Sequence, residues 1–223
     1  MHPFSKVGLA VAALCVAAGA TAQVAGTLSA RIGATHIAPQ VRSGDLSAPS
    51  FPGTTVDVGN ATSLSGGVNY MLTDHWAVDV PLALPFKHDI TGDGAIAGVG
   101  KLGHTKVLPV TVFTQYRFGE ADARFRPYLG LGVTYSRFFK TRTTATLSGL
   151  TGGTPASATT ASVENQWGLT PQIGFVWAIN ERWHLDAAYY KSFLKTTTHL
   201  SSGQSIRTRL NPDVIAVGLG YRF

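Results

Sequence analysis

The chain has 223 residues, of which 44% are hydrophobic and only 13% charged, with 25 glycines, one cysteine and a formal charge of +6. Charged residues are about half as frequent as the roughly 25% of a soluble domain, and the apolar and aromatic content is too high for a disordered chain. No run of about twenty apolar residues follows the N-terminal segment, which excludes helical membrane spans and leaves a β-rich protein in an apolar surrounding.

The first segment reads as an address. Lys6 supplies a positive charge, Val7–Ala18 an apolar stretch, and Ala20-Thr21-Ala22 the small-x-small pattern of a signal-peptide cleavage site. Residues 1–22 are therefore expected to be a secretory signal peptide, and residues 23–223 the mature domain. Cys15 lies inside the leader, where bulky Leu14 argues against a lipoprotein site, so the mature chain has no disulfide and no thiol chemistry. A modest positive charge without a basic helix implies no nucleic-acid partner.

Beyond the leader, apolar residues recur with period two, the signature of strands. Weak alternation opens the domain at Leu28, Ala30, Ile32 and Ala34, and follows near Leu64, Val68, Tyr70 and Leu72. In Trp76–Phe86 the even positions Trp76, Val78, Val80, Leu82, Leu84 and Phe86 share one face. Ala77, Asp79, Pro81, Ala83 and Pro85 share the other. The same pattern runs through Leu108–Phe118, Tyr128–Tyr135, Gln166–Trp177, Trp183–Tyr190 and Ile215–Phe223, making eight strands. The face opposite the bulky residues is mostly glycine, alanine, serine and threonine, which suits the crowded interior of a small barrel. The bulky face, with aromatics such as Trp76, Phe118, Trp177, Trp183, Tyr221 and Phe223 near strand ends, then meets lipid. A soluble lipocalin-like barrel would need the aromatic face inward and charges outward, and those charges are missing.

The connections alternate in length. Pro39–Ala61, Lys87–Lys106, Lys140–Asn165 and Leu194–Asn211 are long and polar; Thr73–His75, Gly119–Phe125 and Asn180–Arg182 are short. The expectation is an all-β fold: an eight-stranded antiparallel transmembrane barrel with four long extracellular loops, three short periplasmic turns and both termini in the periplasm. Terminal Phe223, with Tyr221 two positions before it, has the form of the signal read by the outer-membrane assembly machinery.

Chemistry-bearing patterns are sparse. His184 and Asp186 share the inward face but follow a short turn, away from the outer leaflet where a lipid-modifying barrel enzyme would act. His88-Asp89 has no serine neighbour in sequence. The seven histidines form no HxH pair, and Asp89 and Asp93 lack the full calcium-loop ligand pattern, so neither an enzyme, a metal nor a cofactor is expected.

Five segments together are distinctive: Asn69–Asp79 (NYMLTDHWAVD), Pro85–Ile90 (PFKHDI), Lys106–Phe118 (KVLPVTVFTQYRF), Arg126–Phe139 (RPYLGLGVTYSRFF) and Val217–Phe223 (VGLGYRF). Through them the chain resembles the outer membrane protein W (OmpW) family over essentially the whole mature length. The resemblance implies an outer-membrane location, a barrel whose lumen is a hydrophobic funnel, and uptake of small apolar molecules. The competing readings are a structural or adhesive barrel, a surface receptor without transport, and a barrel enzyme.

Strand direction places Arg31, Asp79, Arg117, Asp186 and Arg222 inward in the periplasmic half, where they are expected to pair across the lumen as a plug. Above them Ala83, Pro85, Phe113 and Tyr190 are expected to form an apolar cup. Pro81 and Pro85 in one strand and Pro109 in the next cannot donate to a ladder. A gap is expected beside Pro81–Pro85, through which a small hydrophobic solute leaves for the surrounding outer-membrane lipid.

Overall fold

Strict alternation places bulky side chains on one face of each strand, and in lipid a sheet with such a face must close so that no edge is left unpaired. The computed structural model describes residues 23–223; the expected signal peptide lies outside them. The described residues form β1 (Leu28–Ala38), β2 (Arg42–Ser43), β3 (Thr54–Val58), β4 (Ala61–Met71), β5 (Trp76–Ala83), β6 (Phe86–Gly94), β7 (Lys101–Arg117) and β8 (Phe125–Thr143). After a short helix α1 (Ala145–Leu150) come β9 (Ala161–Val163), β10 (Gln166–Ala178), β11 (Trp183–Lys191), β12 (Lys195–Leu200), β13 (Ser205–Arg209) and β14 (Asp213–Arg222).

Eight of these close an antiparallel barrel in the order β1-β4-β5-β7-β8-β10-β11-β14, with β14 returning to β1. No helix among the described residues is long and apolar enough to cross a membrane; the crossing is made by strands. Ile32, Leu64, Val112, Leu131, Leu169, Ile173, Ile215 and Val217 are all exposed on the outer face, as the alternation predicts.

The two ends differ. At the turn end, side chains fold the chain back locally. Thr73 Oγ1 accepts from the Trp76 amide at 2.9 Å, and Asn180 Oδ1 accepts from the Trp183 amide at 2.8 Å. Gly119, at φ +77°, supplies the left-handed residue between β7 and β8. Aromatic pairs ring this end, among them Trp76–Tyr116 at 5.1 Å, Phe125–Trp177 at 6.0 Å and Trp183–Tyr221 at 5.1 Å between centroids.

At the loop end, all four stretches read from sequence as polar loops contain strand, and Lys87–Lys106 and Leu194–Asn211 are mostly strand. β8 has 19 residues against the roughly ten needed to cross a bilayer, so it runs on about 30 Å along the strand beyond the band at ~3.4 Å per residue. β6 pairs with the extended β7, and β2, β13, β12 and β9 form a second sheet. Together they carry the barrel wall upward as a funnel. In β12 the period is blurred because threonine stands on both faces, Thr196 and Thr198 toward the lumen and Thr197 away from it.

Candidate functional site: the lumen and its wall

The inward face of the barrel separates into layers. Nearest the turn end lies a charged layer. Arg31 holds Asp79 with two hydrogen bonds, Nη1 to Oδ1 at 2.5 Å and Nη2 to Oδ2 at 2.9 Å, and its Nε lies 3.8 Å from Asp186 Oδ1. Tyr128 donates its hydroxyl to Asp186 at 3.3 Å. Asn69, Gln115 and Gln172 join in a chain of amide hydrogen bonds at 3.1 and 2.9 Å across the lumen.

Arg31 thus engages both carboxylates of the expected plug. Arg117 donates to the side-chain oxygen of Gln23 and sits 5.9 Å from the centre of the Tyr128 ring; Arg222 donates to the Glu181 carbonyl at 3.3 Å. Two members were missed in sequence. Arg126 is 0% exposed and gives its hydrogen bonds to carbonyl oxygens of Gln23, Asp74, Gly119 and Phe118. Gln23, the expected first residue of the mature chain, is only 3% exposed beneath it. Extending the alternation of Tyr128 and Gly130 back by two residues would have put Arg126 on the inward face.

The small inward residues make room for this layer. A Cβ at Gly132 would lie 2.5 Å from the Phe113 ring, and one at Gly174 2.5 Å from the Tyr128 ring. Above it, hydroxyls form a chain across β7, β8, β10 and the residue that follows β11: Thr111 to Thr134 at 2.8 Å, Thr134 to Thr170 at 2.7 Å and Thr170 to Ser192 at 3.0 Å. These hydrogen bonds satisfy polar groups that would otherwise be costly to bury.

Above the hydroxyls the lumen opens into a cavity of about 530 Å³, lined largely by apolar side chains. A collar of Ile37, Phe86, Val107 and Val214 lines it, with Ala83, Phe138 and Tyr190 packed against the collar, and Thr111, Thr134 and Ser192 line it too. Phe113 lies under this collar, edge-on to Tyr190 at 5.5 Å, and is fully buried. A volume of this size suits a small molecule.

The cavity meets a defect in the wall. β5 pairs with β4 as far as Ala83, but with β7 only from Trp76↔Tyr116 to Asp79↔Phe113. The ladder on β7 resumes with β6 at Phe86↔Val107. Seven residue steps on the β5–β6 side thus face six on β7, and Val80–Pro85 has no partner there. Pro81 and Pro109 flank the interruption and both line the cavity; Leu82, 56% exposed on the outer face, lines it too. The ladder from β7 to β8 runs through Pro109 opposite Ser136 without a break, so the interruption is confined to one side.

This extra residue corrects one expectation. Pro85 was assigned to the apolar cup, but it is exposed and lies outside the cavity lining. Phe86, assigned by alternation to the lipid face, points inward and is 1% exposed. The physical reason is parity: a one-residue bulge exchanges the two faces for everything after it. Of the other expected cup residues, Ala83 and Tyr190 line the cavity, while Phe113 does not and is instead packed beneath it against Tyr190.

The remaining candidates lie apart. Tyr221 and Phe223 stack at 5.4 Å in the aromatic ring of the turn end. In the funnel, His88 Nδ1 donates to the Gly59 carbonyl at 2.7 Å, and burial holds its ring below the ordinary histidine range. Asp89 is engaged by Lys101 at 2.6 Å, a hydrogen bond that lowers its carboxyl. His184 and Asp186 belong to the charged layer.

The model of the OmpW family matches residues 24–223. The chain belongs to the OmpW family. It is 33% identical over 220 residues to outer membrane protein W of Vibrio cholerae, covering 97% of each chain. Its fold is similar to the crystal structure of OprG from Pseudomonas aeruginosa, with a TM-score of 0.81 at 28% identity, covering 91% of this chain and 98% of that one. A more distant relative, 24% identical over 197 residues with 86% and 87% coverage, is the dibenzothiophene metabolism operon protein PahQ of Pseudomonas aeruginosa. As an OmpW-family barrel, the protein resides in the bacterial outer membrane.

Proposed function

We propose that this barrel is a hydrophobic funnel that takes up small apolar molecules and releases them sideways into the bilayer. The funnel end faces the medium and both termini face the periplasm, after removal of a signal peptide at Ala22. The observation that carries the reading is the interrupted β5–β7 ladder beside an apolar cavity that already includes the outward residue Leu82.

Each layer has a part in this path. An apolar solute enters between the funnel walls and settles above the collar, losing its contact with water. Beneath it, the Arg31–Asp79–Asp186 cluster acts as the plug, with Arg117 and Arg222 filling the turn end, because parting a buried ion pair to admit an apolar molecule costs several kcal/mol. Pro81, Pro85 and Pro109 keep the wall beside the solute from closing, since none can donate to the missing ladder. Half-buried Tyr221 and exposed Phe223 present the C-terminal aromatic pair to the assembly machinery. The name of the PahQ relative, tied to metabolism of an apolar heterocycle, agrees with a solute of this class.

The test is the double substitution Pro81→Val/Pro85→Val, which returns two backbone donors to the interrupted stretch. Uptake of an alkane-like probe into cells or liposomes should slow severalfold while the barrel stays folded. Unchanged uptake in a well-folded variant would remove this exit from consideration.

A further inference from the structure

The second sheet carries a charge pattern that neither transport nor folding requires. Its inner face, with Thr196, Thr198, Leu200, Ile206 and Thr208, lines the cavity, so its other face looks away from the barrel axis. On that outer face Lys195 lies directly opposite Arg209, and Arg209 directly opposite Arg42, forming one row across three strands. Arg207, two residues along β13, shares the face. All four are exposed, and none of their side chains makes a hydrogen bond or ion pair with another described residue. The strands of this sheet contain no acid, and Glu164, which follows β9, is occupied by His199 at 3.0 Å and Gln166 at 3.4 Å. Like charges directly opposite each other destabilise a sheet, so this row weakens the wall it sits in.

The depth of the row identifies its ligand. Tyr189 and Phe193 are exposed on the outer face of the barrel wall, as is Trp167 on β10. Lys195 follows Phe193 by two residues, a rise of about 7 Å. The polar zone of a bilayer leaflet is itself about 5–8 Å deep. The cations therefore stand at headgroup depth, immediately above the apolar band. Just beneath them, Lys191 is neutralised by Asp213 at 2.7 Å, which leaves the row above as the unmatched charge. A shallow depression runs among Arg42, Gln166, Lys195, Arg207 and Arg209, so the four cations converge on one pocket.

We propose that this face binds the phosphate groups of lipopolysaccharide, specifically the diphosphorylated disaccharide of its lipid anchor, in the leaflet around the funnel. Guanidinium forks suit phosphate oxygens in bidentate geometry. A bound phosphate between Arg209 and its cross-strand neighbours would turn the repulsion of the row into attraction and brace the funnel wall. The assignment of this sheet to the outer leaflet rests on the sidedness proposed above; the chemistry of the pocket does not.

Binding of diphosphoryl lipid A to the full mature barrel in detergent micelles tests the pocket without reference to sidedness. Attraction of a basic residue to an anionic lipid surface is worth about fivefold in affinity. Arg207→Gln/Arg209→Gln should therefore weaken binding about thirtyfold, and Arg207→Lys/Arg209→Lys should restore most of it. A matched pair at the turn end, Arg124→Gln/Arg182→Gln, should bind as wild type does. Heat-modifiable gel migration checks the fold of each variant. Equal binding by the Gln pair, or by dephosphorylated lipid A, would overturn the proposal. Inositol hexakisphosphate binding as tightly as lipid A would assign the face to soluble polyanions and overturn the lipid source. Protease cleavage of the loops on intact cells tests sidedness separately: if the loops are protected while lipid A still binds in micelles, the sidedness fails and the pocket stands.

Discussion

Replacing Asp79 with alanine is the sharpest perturbation of the charged layer. Asp79 is 0% exposed and receives both arms of the Arg31 guanidinium, at 2.5 and 2.9 Å, with a weaker hydrogen bond from Asn69 at 3.4 Å. Its removal leaves a guanidinium in a narrow interior with only Asp186, 3.8 Å from Nε, as a counter-charge. Breaking a buried pair by deleting one partner costs about 3–5 kcal/mol, because the other charge remains and is uncompensated. With a urea m-value of about 2 kcal/mol/M, the unfolding midpoint of Asp79→Ala should fall by about 2 M. The assay is equilibrium unfolding in lipid vesicles, followed by the fluorescence of Trp76, Trp177 and Trp183 near the turn end. Arg31→Met/Asp79→Ala removes the orphaned charge, so it should recover part of the loss, with a coupling energy of about 2 kcal/mol. A loss below about 1 kcal/mol in Asp79→Ala, or strict additivity in the double variant, would refute the view that this ion pair organises the layer.

Two further perturbations act at the ends of the barrel. Gln23→Ala, in refolded residues 23–223, removes the side-chain acceptor of buried Arg117 and should cost about 1–3 kcal/mol in the same unfolding assay; an unchanged midpoint would show that Arg117 finds other partners at no cost. In the funnel, the hydrogen bond from His199 holds the Glu164 carboxyl below its ordinary value. A depressed carboxyl contributes stability that is complete above its unfolded value and is lost as pH falls through the folded one. Protection of the β9 and β12 amides against exchange, corrected for the intrinsic pH dependence, should therefore fall on acidification through the carboxylate range, and Glu164→Gln should abolish that pH dependence.

How much of this was legible in sequence depends on where two residue faces differ. In the spans, bulky and small residues alternate, and the pattern correctly assigned Ile32, Val112, Leu131 and Ile173 to lipid and Arg31, Asp79, Arg117 and Asp186 to the lumen. It failed where nothing in the pattern marks a change of phase. The bulge between Asp79 and Phe86 leaves the apolar alternation of Leu82, Leu84 and Phe86 intact, yet it turns Phe86 inward and Pro85 out. The prolines signalled an interrupted ladder but not the exchange of faces beyond it. The funnel strands were hidden for the opposite reason. Thr196, Thr197 and Thr198 are alike in sequence, though the first and third face the cavity and the second faces away. Partner choice within the charged layer was not legible either, because it depends on side-chain reach across the lumen: Arg117 and Arg126 meet at Gln23, which is separated from them by more than ninety positions.

The layering gives the proposed path a direction without any moving part. A fused-ring solute burying about 200 Å² gains about 5 kcal/mol on leaving water for an apolar cavity, at about 25 cal/mol per Å². Descent toward the turn end would surrender that gain twice over. The solute would meet the hydroxyl chain of Thr111, Thr134, Thr170 and Ser192, then an Arg31–Asp79 pair whose separation costs about 3–5 kcal/mol. Passage through the unpaired stretch beside Pro81 exchanges one apolar surrounding for another, so the burial gained on entry is kept. Water has the reverse preference: it is unfavourable in the collar of Phe86, Val107 and Val214 and finds no ladder gap at the polar layer, where β5 and β7 are paired from Trp76 to Asp79. The same wall is thus paired at the depth of the charges and unpaired at the depth of the apolar cup. That is the arrangement a route from medium to bilayer requires.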